Sequence, residues 1–398
     1  MAKFSLVKSS RVSKQKIPIP PIPQELEGVN NILESLGLKD KFTAMGMDFT
    51  MVLLGIGQKL LKSTSEISFL ANCGLISMQR RFNRFLHKTQ GEIVFSTLLK
   101  SLPAKIFCDP CGVLILDDSP LPKSGKKMHG AKKLYHNGFF HGYELLTLAY
   151  SCASGVFPVA FSLKTKFSAS KLTLGAEILN KVLEILPVPR WVVFDSWYTV
   201  KPLLEPLIAM KLLFIGAVKN NYKFIYRGRV YHARDFIRLA SKARYACFDV
   251  SCAWCSRLRL IVFRRKLSSG KFRYEILLTN DFTTSARKIA MAYLRRWNIE
   301  TTFRTFKQSF ALNEFHNRNL TAIVNHIAFS FCALLLVAYL KSLFHSLRLK
   351  SHAWIRTFVF FARKLCRILL PSGLSIETKL ICPNYRYFKR FGVLRLGV

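Results

Sequence analysis

The pattern of apolar and polar positions divides the chain before its composition is considered. Residues 16–24 read KIPIPPIPQ, an extended proline-rich stretch suited to an arm or linker rather than to a packed element. From residue 28 to about residue 90 the apolar spacing is helical. Within it, SEISFLANCGLISMQRRFNRFLH reads as a helix, a turn at Gly74 and a second, basic helix carrying Arg80, Arg81 and Arg84. The pattern then changes period. GVLIL at 112–116 is a short apolar strand running into Asp117, Asp118 and Ser119, followed by the basic loop PKSGKKMHGAKK. Two further strand-like runs follow at 142–151 and 155–163, then a helical segment at 171–186, a strand WVVFD ending at Asp195, a helix to about residue 210 and a strand LLFIGAV. About 60 β-like, basic and aromatic residues lead to a helix that starts near Ser285.

Three consecutive strands, helix, strand, helix and strand predict an α/β fold with a mixed sheet. The first three strands should be antiparallel. The crossover through the 171–186 helix should lay the fourth strand parallel to the first. If those two strands are neighbours, Asp117 and Asp195 emerge side by side at their carboxyl ends, where the functional groups of open α/β sheets gather.

Charge then points to a partner. With 61 Lys and Arg against 22 Asp and Glu the formal charge is +39, and the pI is about 10.2. A surplus of this size creates self-repulsion and suits a polyanion, so nucleic acid is the leading partner and the basic helix at residues 80–84 the leading candidate to enter a DNA groove. Any two basic helices joined at a glycine share that pattern. An anionic membrane surface is the competing partner. However, the first 13 residues lack the apolar core of a secretory leader. The longest apolar run, 321–340, is interrupted by Asn325 and His326, so it is expected as a buried core helix and no membrane span is expected.

Ten cysteines scattered through apolar contexts suggest reduced thiols in a cytoplasmic protein. Cys108 with Cys111 and Cys252 with Cys255 have zinc-ligand spacing. The pairs lie about 140 residues apart, though, where compact zinc modules use about 15 to 20, so a zinc site is not expected.

The helix near residue 300 carries the chemistry. Tyr293, Arg296, Glu300 and Lys307 fall at offsets of 3, 7 and 14, which at about 100° per residue return to one stripe of one helix. That stripe places one carboxylate among an arginine, a lysine and a phenol, the groups expected beside a phosphate. A water-facing amphipathic helix would use the same residues. Together with Asp117 and Asp195, Glu300 completes three carboxylates from two strand ends and one helix. Such a set can hold two Mg²⁺ or Mn²⁺ ions for phosphodiester chemistry. Adjacent strand residues point to opposite faces, so only one of Asp117 and Asp118 joins the site directly; Asp117 is favoured, with Asp118 as the alternative first ligand. Turn formation or helix capping would also account for these aspartates.

The order Asp117, Asp195, Glu300, the Y-R-E-K spacing and a β-rich stretch between the second Asp and the Glu resemble the DD(E) insertion-sequence transposases of the cut-and-paste type, over about residues 105–345. The resemblance implies an RNase-H-like core, metal binding by Asp117, Asp195 and Glu300, and DNA contacts from Tyr293, Arg296 and Lys307. It also implies double-stranded transposon-end and target DNA as partners, a homodimer in the DNA complex, and a bacterial, nucleoid-associated setting. In such enzymes an aromatic residue of the insert often stacks on a flipped base; Tyr274 and Trp254 are candidates here, as they are for simple packing. Lys123, Lys126, Lys127, Lys132 and Lys133 follow the first acid and suit a DNA backbone, or a solvated basic loop.

The expected map is a basic arm at 1–27, a helical DNA-binding domain at 28–105, a catalytic domain at 106–345 with its insertion at about 220–282, and a basic helical region at 346–398. A nuclease that cuts without joining and a non-catalytic DNA-binding derivative are the alternative functions.

Overall fold

The computed structural model describes His87 and residues 91–343, apart from 103, 124, 126, 136–137, 241–242, 267–268, 271, 310–311, 314 and 316. The proline-rich stretch, the helix expected to bear Arg80, Arg81 and Arg84, Lys126 and the region 346–398 lie outside the described residues.

Strand β1 (Val113–Pro122) is the axis of the fold. Its residues Val113, Leu114, Ile115 and Leu116 are all buried, as are all four residues of β5 (Trp191–Phe194). Strands covered on both faces need such continuous apolar runs. β1 pairs antiparallel with β3 (Phe139–Cys152), and β3 pairs antiparallel with β4 (Gly155–Lys164). Helix α2 (Lys171–Leu183) then crosses over, and β5 lies parallel to β1 with Leu116 opposite Phe194. After α3 (Lys201–Ala209), β6 (Phe214–Ala217) joins parallel to β5. The resulting order β4-β3-β1-β5-β6 is the RNase-H-like mixed sheet expected from the sequence.

One close approach holds this centre together. A Cβ at Gly216 would lie 2.3 Å from the Thr199 hydroxyl and 2.5 Å from the Phe194 ring, so only glycine lets β6 sit against the turn after β5.

The β-rich stretch departs from a simple appendage. It contains β7 (Lys223–Tyr226), β8 (Arg229–His232), the short helix α4 (Asp235–Leu239), β9 (Tyr245–Cys252), β10 (Cys255–Lys266) and β11 (Phe272–Thr279). β11 pairs antiparallel with β6, so the insert prolongs the central sheet. Among the described residues the order is β2-β3-β1-β5-β6-β11-β10-β9-β7-β8, with β2 (Lys132–Tyr135) and β4 sharing one edge of β3. At the seam, Asp281 accepts from Trp191 Nε1 (3.0 Å), Thr283 N–H (2.9 Å) and Thr284 N–H (3.0 Å). Burial alone would raise its pKa, but the hydrogen bonds from Thr284, Trp191 and Thr283 outweigh it and hold the carboxyl at about 2.

Three helices complete the described core: α5 (Ala286–Leu294), α6 (Trp297–Ser309) and α7 (Leu320–Leu343). Helix α1 (Gly91–Ser101) precedes the domain boundary expected at residue 105, yet it packs against α7. Phe95 meets Phe161 and Phe331 edge-on, and buried Asn325 accepts from Gly91 N–H at 2.8 Å. That bond satisfies one donor at the start of α1. The polar interruption of the apolar run at Asn325 and His326 is therefore part of helix packing. No helix among the described residues is long and apolar enough to cross a membrane.

Candidate active site

The site forms where the parallel pairing of β1 and β5 stops. Leu116 and Phe194 are the last partners, so Asp117 and Asp195 are the next residues on adjacent strands. Two features of the local chain differ from the sequence-based expectation. β1 does not end at Asp117 but runs on to Pro122, because β3 continues to pair with it from Thr147 to Gly142. The stripe helix is also two helices. Arg295 and Arg296 lie between α5 and α6, and the N–H groups of Arg295, Arg296, Asn298 and Ile299 bond to carbonyls three residues back. This tightened turn replaces the ordinary four-residue ladder between α5 and α6.

Arg296 occupies that turn and bridges two acids. Its Nη1 donates to Asp117 Oδ2 at 2.9 Å and its Nη2 to Glu300 Oε1 at 2.8 Å. Asp117 and Arg296 are largely buried, each with 13% side-chain exposure. Tyr293 is buried beneath them with its phenol against Arg296, and burial raises its pKa. Asp195 has Oδ1 engaged by Trp197 N–H at 2.8 Å, so the residue both shapes the turn into α3 and stands beside Asp117. Asp117 is raised from 3.8 to about 7, first by burial and then by the neighbouring Asp195 and Asp118 charges. Arg296 opposes the shift.

The adjacent acid has different company. Asp118 Oδ1 accepts from the Tyr198 hydroxyl at 2.6 Å, and its Oδ2 pairs with Lys171 at 3.2 Å. Lys171 also pairs with Glu144 at 3.0 Å and lies over the Trp197 ring. Asp118 thus ties α2 and the turn after β5 to β1. Both oxygens of this alternative first ligand have protein partners.

The basic candidates separate as well. Lys123 Nζ donates to the carbonyls of Asn313 (2.6 Å) and Phe315 (3.0 Å) and sits over the Phe315 ring, which anchors the segment before α7. Lys127 and Lys133 are exposed, and Lys132 is partly so. Lys307 is half-buried on α6, where burial lowers its pKa. Of the insert aromatics, Tyr274 and Trp254 are partly buried and pack against the core.

Sequence reasoning missed Thr147, Lys171 and Tyr198. Thr147 lies directly opposite Asp117 on β3 and is fully buried, and its hydroxyl has no hydrogen-bond partner. Arg296 Nε is likewise buried without one. A lone polar residue inside ELLTLAY was the available signal for Thr147; Lys171 had none.

A divalent ion suits this donor set in kind. The donors are carboxylate oxygens, appropriate for a hard cation, and positive charge would offset both the burial and the neighbouring acids that raise Asp117. Among the described residues no three His, Cys, Asp or Glu side chains converge into a ready-made cation cage, the two Cys pairs included. The guanidinium of Arg296 stands between Asp117 and Glu300 instead.

Residues 111–336 match the family described as Transposase DDE domain. Among solved structures, the chain is similar to the cryo-EM structure of the piggyBac transposase synaptic complex with hairpin DNA. The identity is 14% and the TM-score 0.44, with 84% of this chain and 68% of that chain covered. The NurA nuclease from Sulfolobus solfataricus is a further match, at 12% identity and a TM-score of 0.27, over 60% of this chain and 84% of that chain. No curated protein matches the sequence.

Proposed function

We propose that this chain, which belongs to the transposase DDE domain family, binds the terminal inverted repeats of a mobile element, cleaves the strand at each end and joins the freed 3′-hydroxyl to target DNA. The observation that carries this reading is the register of β1 with β5, which sets Asp117 beside Asp195, together with Arg296, which links Asp117 to Glu300.

Asp117, Asp195 and Glu300 are the residues to hold Mg²⁺ or Mn²⁺, as a pair of ions. Such ions, when bound, activate the attacking oxygen and stabilise the leaving oxygen of a phosphodiester displacement. Arg296 has a separate duty. Its planar fork matches a phosphate as well as a carboxylate, so a DNA strand offers it an alternative partner to the acids. Buried Tyr293 limits the directions in which that fork can turn. Lys127, Lys132, Lys133 and Lys307 supply charge for the duplex backbone. Arg80, Arg81, Arg84 and Lys126 join them in this proposal, within the expected 28–105 domain and the loop after β1, as does a homodimer assembled on DNA in the bacterial cytoplasm.

Two expected outcomes follow from this assignment. Affinity for duplex DNA should fall steeply with salt, with a log–log slope of about −0.9 for each phosphate neutralised. A slope near zero in an anisotropy titration would remove nucleic acid as the partner. Arg296→Ala should reduce end cleavage at least about tenfold, or ~1.4 kcal/mol, while non-specific duplex binding changes less. Arg295→Ala should do less to cleavage, because Arg295 holds the Cys111 carbonyl at the entry to β1. Equal, mild effects would reduce the Y-R-E-K stripe to a helix surface.

The discriminating experiment is incubation of a precut end with supercoiled target DNA and Mg²⁺. Joined product supports the transposase; cleavage of an uncut end with no joining from the precut end would leave a nuclease.

A further inference from the structure

The β2–β3 hairpin carries a feature that the acids and their neighbours do not explain. Phe139 and Tyr135 are the most exposed of the large apolar side chains among the described residues, at 72% and 69%. They are cross-strand partners, with ring centroids 5.2 Å apart in an edge-on arrangement. Two pairs further along, Lys133 lies opposite His141, and Lys133 Nζ sits 4.4 Å from the centre of the Phe139 ring. Directly paired residues share a sheet face. Lys133, Tyr135, Phe139 and His141 therefore form one ladder of two rings, an ammonium and an imidazole.

Strand alternation also fixes which face this is. β1 and β3 pair without a register shift from Val113 opposite Ser151 to Pro122 opposite Gly142, and Asp117 lies opposite Thr147. Residues 139, 141 and 147 of β3 are separated by even steps, so the ladder lies on the same face as Asp117. Eight residues at about 3.3 Å each place Phe139 roughly 26 Å beyond the level of Asp117, or about eight base pairs of duplex. β1, the strand beside β3, ends at Pro122 opposite Gly142, and β5 ends at Phe194, so the tip of this hairpin reaches past both at the end of the sheet where Asp117 and Asp195 lie.

We infer that the β2–β3 hairpin is a DNA-contacting arm, with Lys133 on a phosphate and the Tyr135 and Phe139 rings against sugar or base about eight base pairs from the cleaved bond. The inference rests on the transposase reading above. Charge selects the partner: residues 132–143, KKLYHNGFFHGY, contain no acid. A second copy of a chain with charge +39 is a poor fit to such a surface. An anionic membrane would suit lysine and aromatic rings, but nothing in that partner explains the alignment with Asp117. Ring stacking and phosphate pairing act together on nucleic acid.

The test compares the double variant Tyr135→Ser with Phe139→Ser, and Lys133→Ala, against the full wild-type chain. All three residues are exposed, so thermal unfolding should be unchanged. Binding is read by anisotropy over a salt series on end duplexes with 15 or 6 base pairs on each side of the cleavage position. On the longer duplex the double variant should bind about tenfold more weakly, and Lys133→Ala should lower the salt slope by about 0.9. On the shorter duplex both should match wild type. Wild-type affinity and slope in all variants on the longer duplex would overturn the arm alone. A wild-type chain that binds neither duplex would sink the arm and the transposase reading together. Loss of binding to phosphatidylserine vesicles, or of self-association, with DNA affinity intact would reassign the hairpin to a membrane or to a second copy.

Discussion

Glu300→Ala is expected to lower cleavage of a DNA end more than about 100-fold, a barrier increase of at least ~2.7 kcal/mol, while duplex affinity stays within about twofold. Glu300 lies in the first turn of α6 and reaches the site through Arg296, at 2.8 Å. Removing it withdraws one carboxylate from the set that would hold the metal, yet leaves the basic surface in place. Truncation also frees half of the Arg296 fork, which could disturb the turn between α5 and α6. Glu300→Gln separates the two effects, since its amide oxygen still accepts from Arg296 but carries no charge. The glutamine variant should melt with the wild type and cleave as poorly as the alanine variant. Near wild-type cleavage by Glu300→Gln would take Glu300 out of the chemistry.

The neighbouring aspartates 117 and 118 should respond to substitution with opposite changes in stability. The Asp117 carboxyl titrates at about 7 in the folded chain against 3.8 ordinarily, burial being the main cause. The folded state therefore binds the proton more tightly, and stability falls as the pH rises from about 4 to about 7. Asp117→Asn removes that loss. It should be neutral near pH 4 and stabilising at pH 8, on the order of 1 to 4 kcal/mol, a range that already includes the lost attraction to Arg296. It should also abolish cleavage. Asp118→Ala, in contrast, leaves the Tyr198 hydroxyl without its acceptor and Lys171 with only Glu144. A loss of about 3 kcal/mol is expected, the lower end for a broken buried pair. Denaturant unfolding of both variants at pH 4 and pH 8 would check this. A gain for Asp117→Asn of equal size at both pH values would mean that its proton is not the cause, and an unchanged midpoint for Asp118→Ala would mean that its network contributes nothing.

The same two residues mark where local information ends. The runs VLIL and WVVF are apolar at every position, and a strand of that kind must be covered on both faces. That, with the helix between them, was enough to place β1 parallel to β5 and so to bring Asp117 beside Asp195. The β-rich character of the insert and the burial of α7 over its described side chains, as far as Leu335, were equally legible, because period and length are properties of short windows. The partners of each side chain were not. Choosing between Asp117 and Asp118 depends on Arg296, 179 residues away, and on Tyr198 and Lys171, 80 and 53 residues away.

The single stripe of Tyr293, Arg296, Glu300 and Lys307 assumed an unbroken helix. Instead Arg295 and Arg296 form a tight turn between α5 and α6, and the one guanidinium there pairs with both Asp117 and Glu300. Lys123 looked like its basic neighbours in the loop, but two backbone carbonyls of the segment before α7 draw its ammonium inside. The sequence by itself determined which segments become strands and helices, because hydrophobic periodicity acts within a few residues. Only the tertiary structure decided which acid faces the arginine, which lysine stays on the surface and which aromatic rings remain uncovered, because each outcome depends on groups brought together from distant parts of the chain.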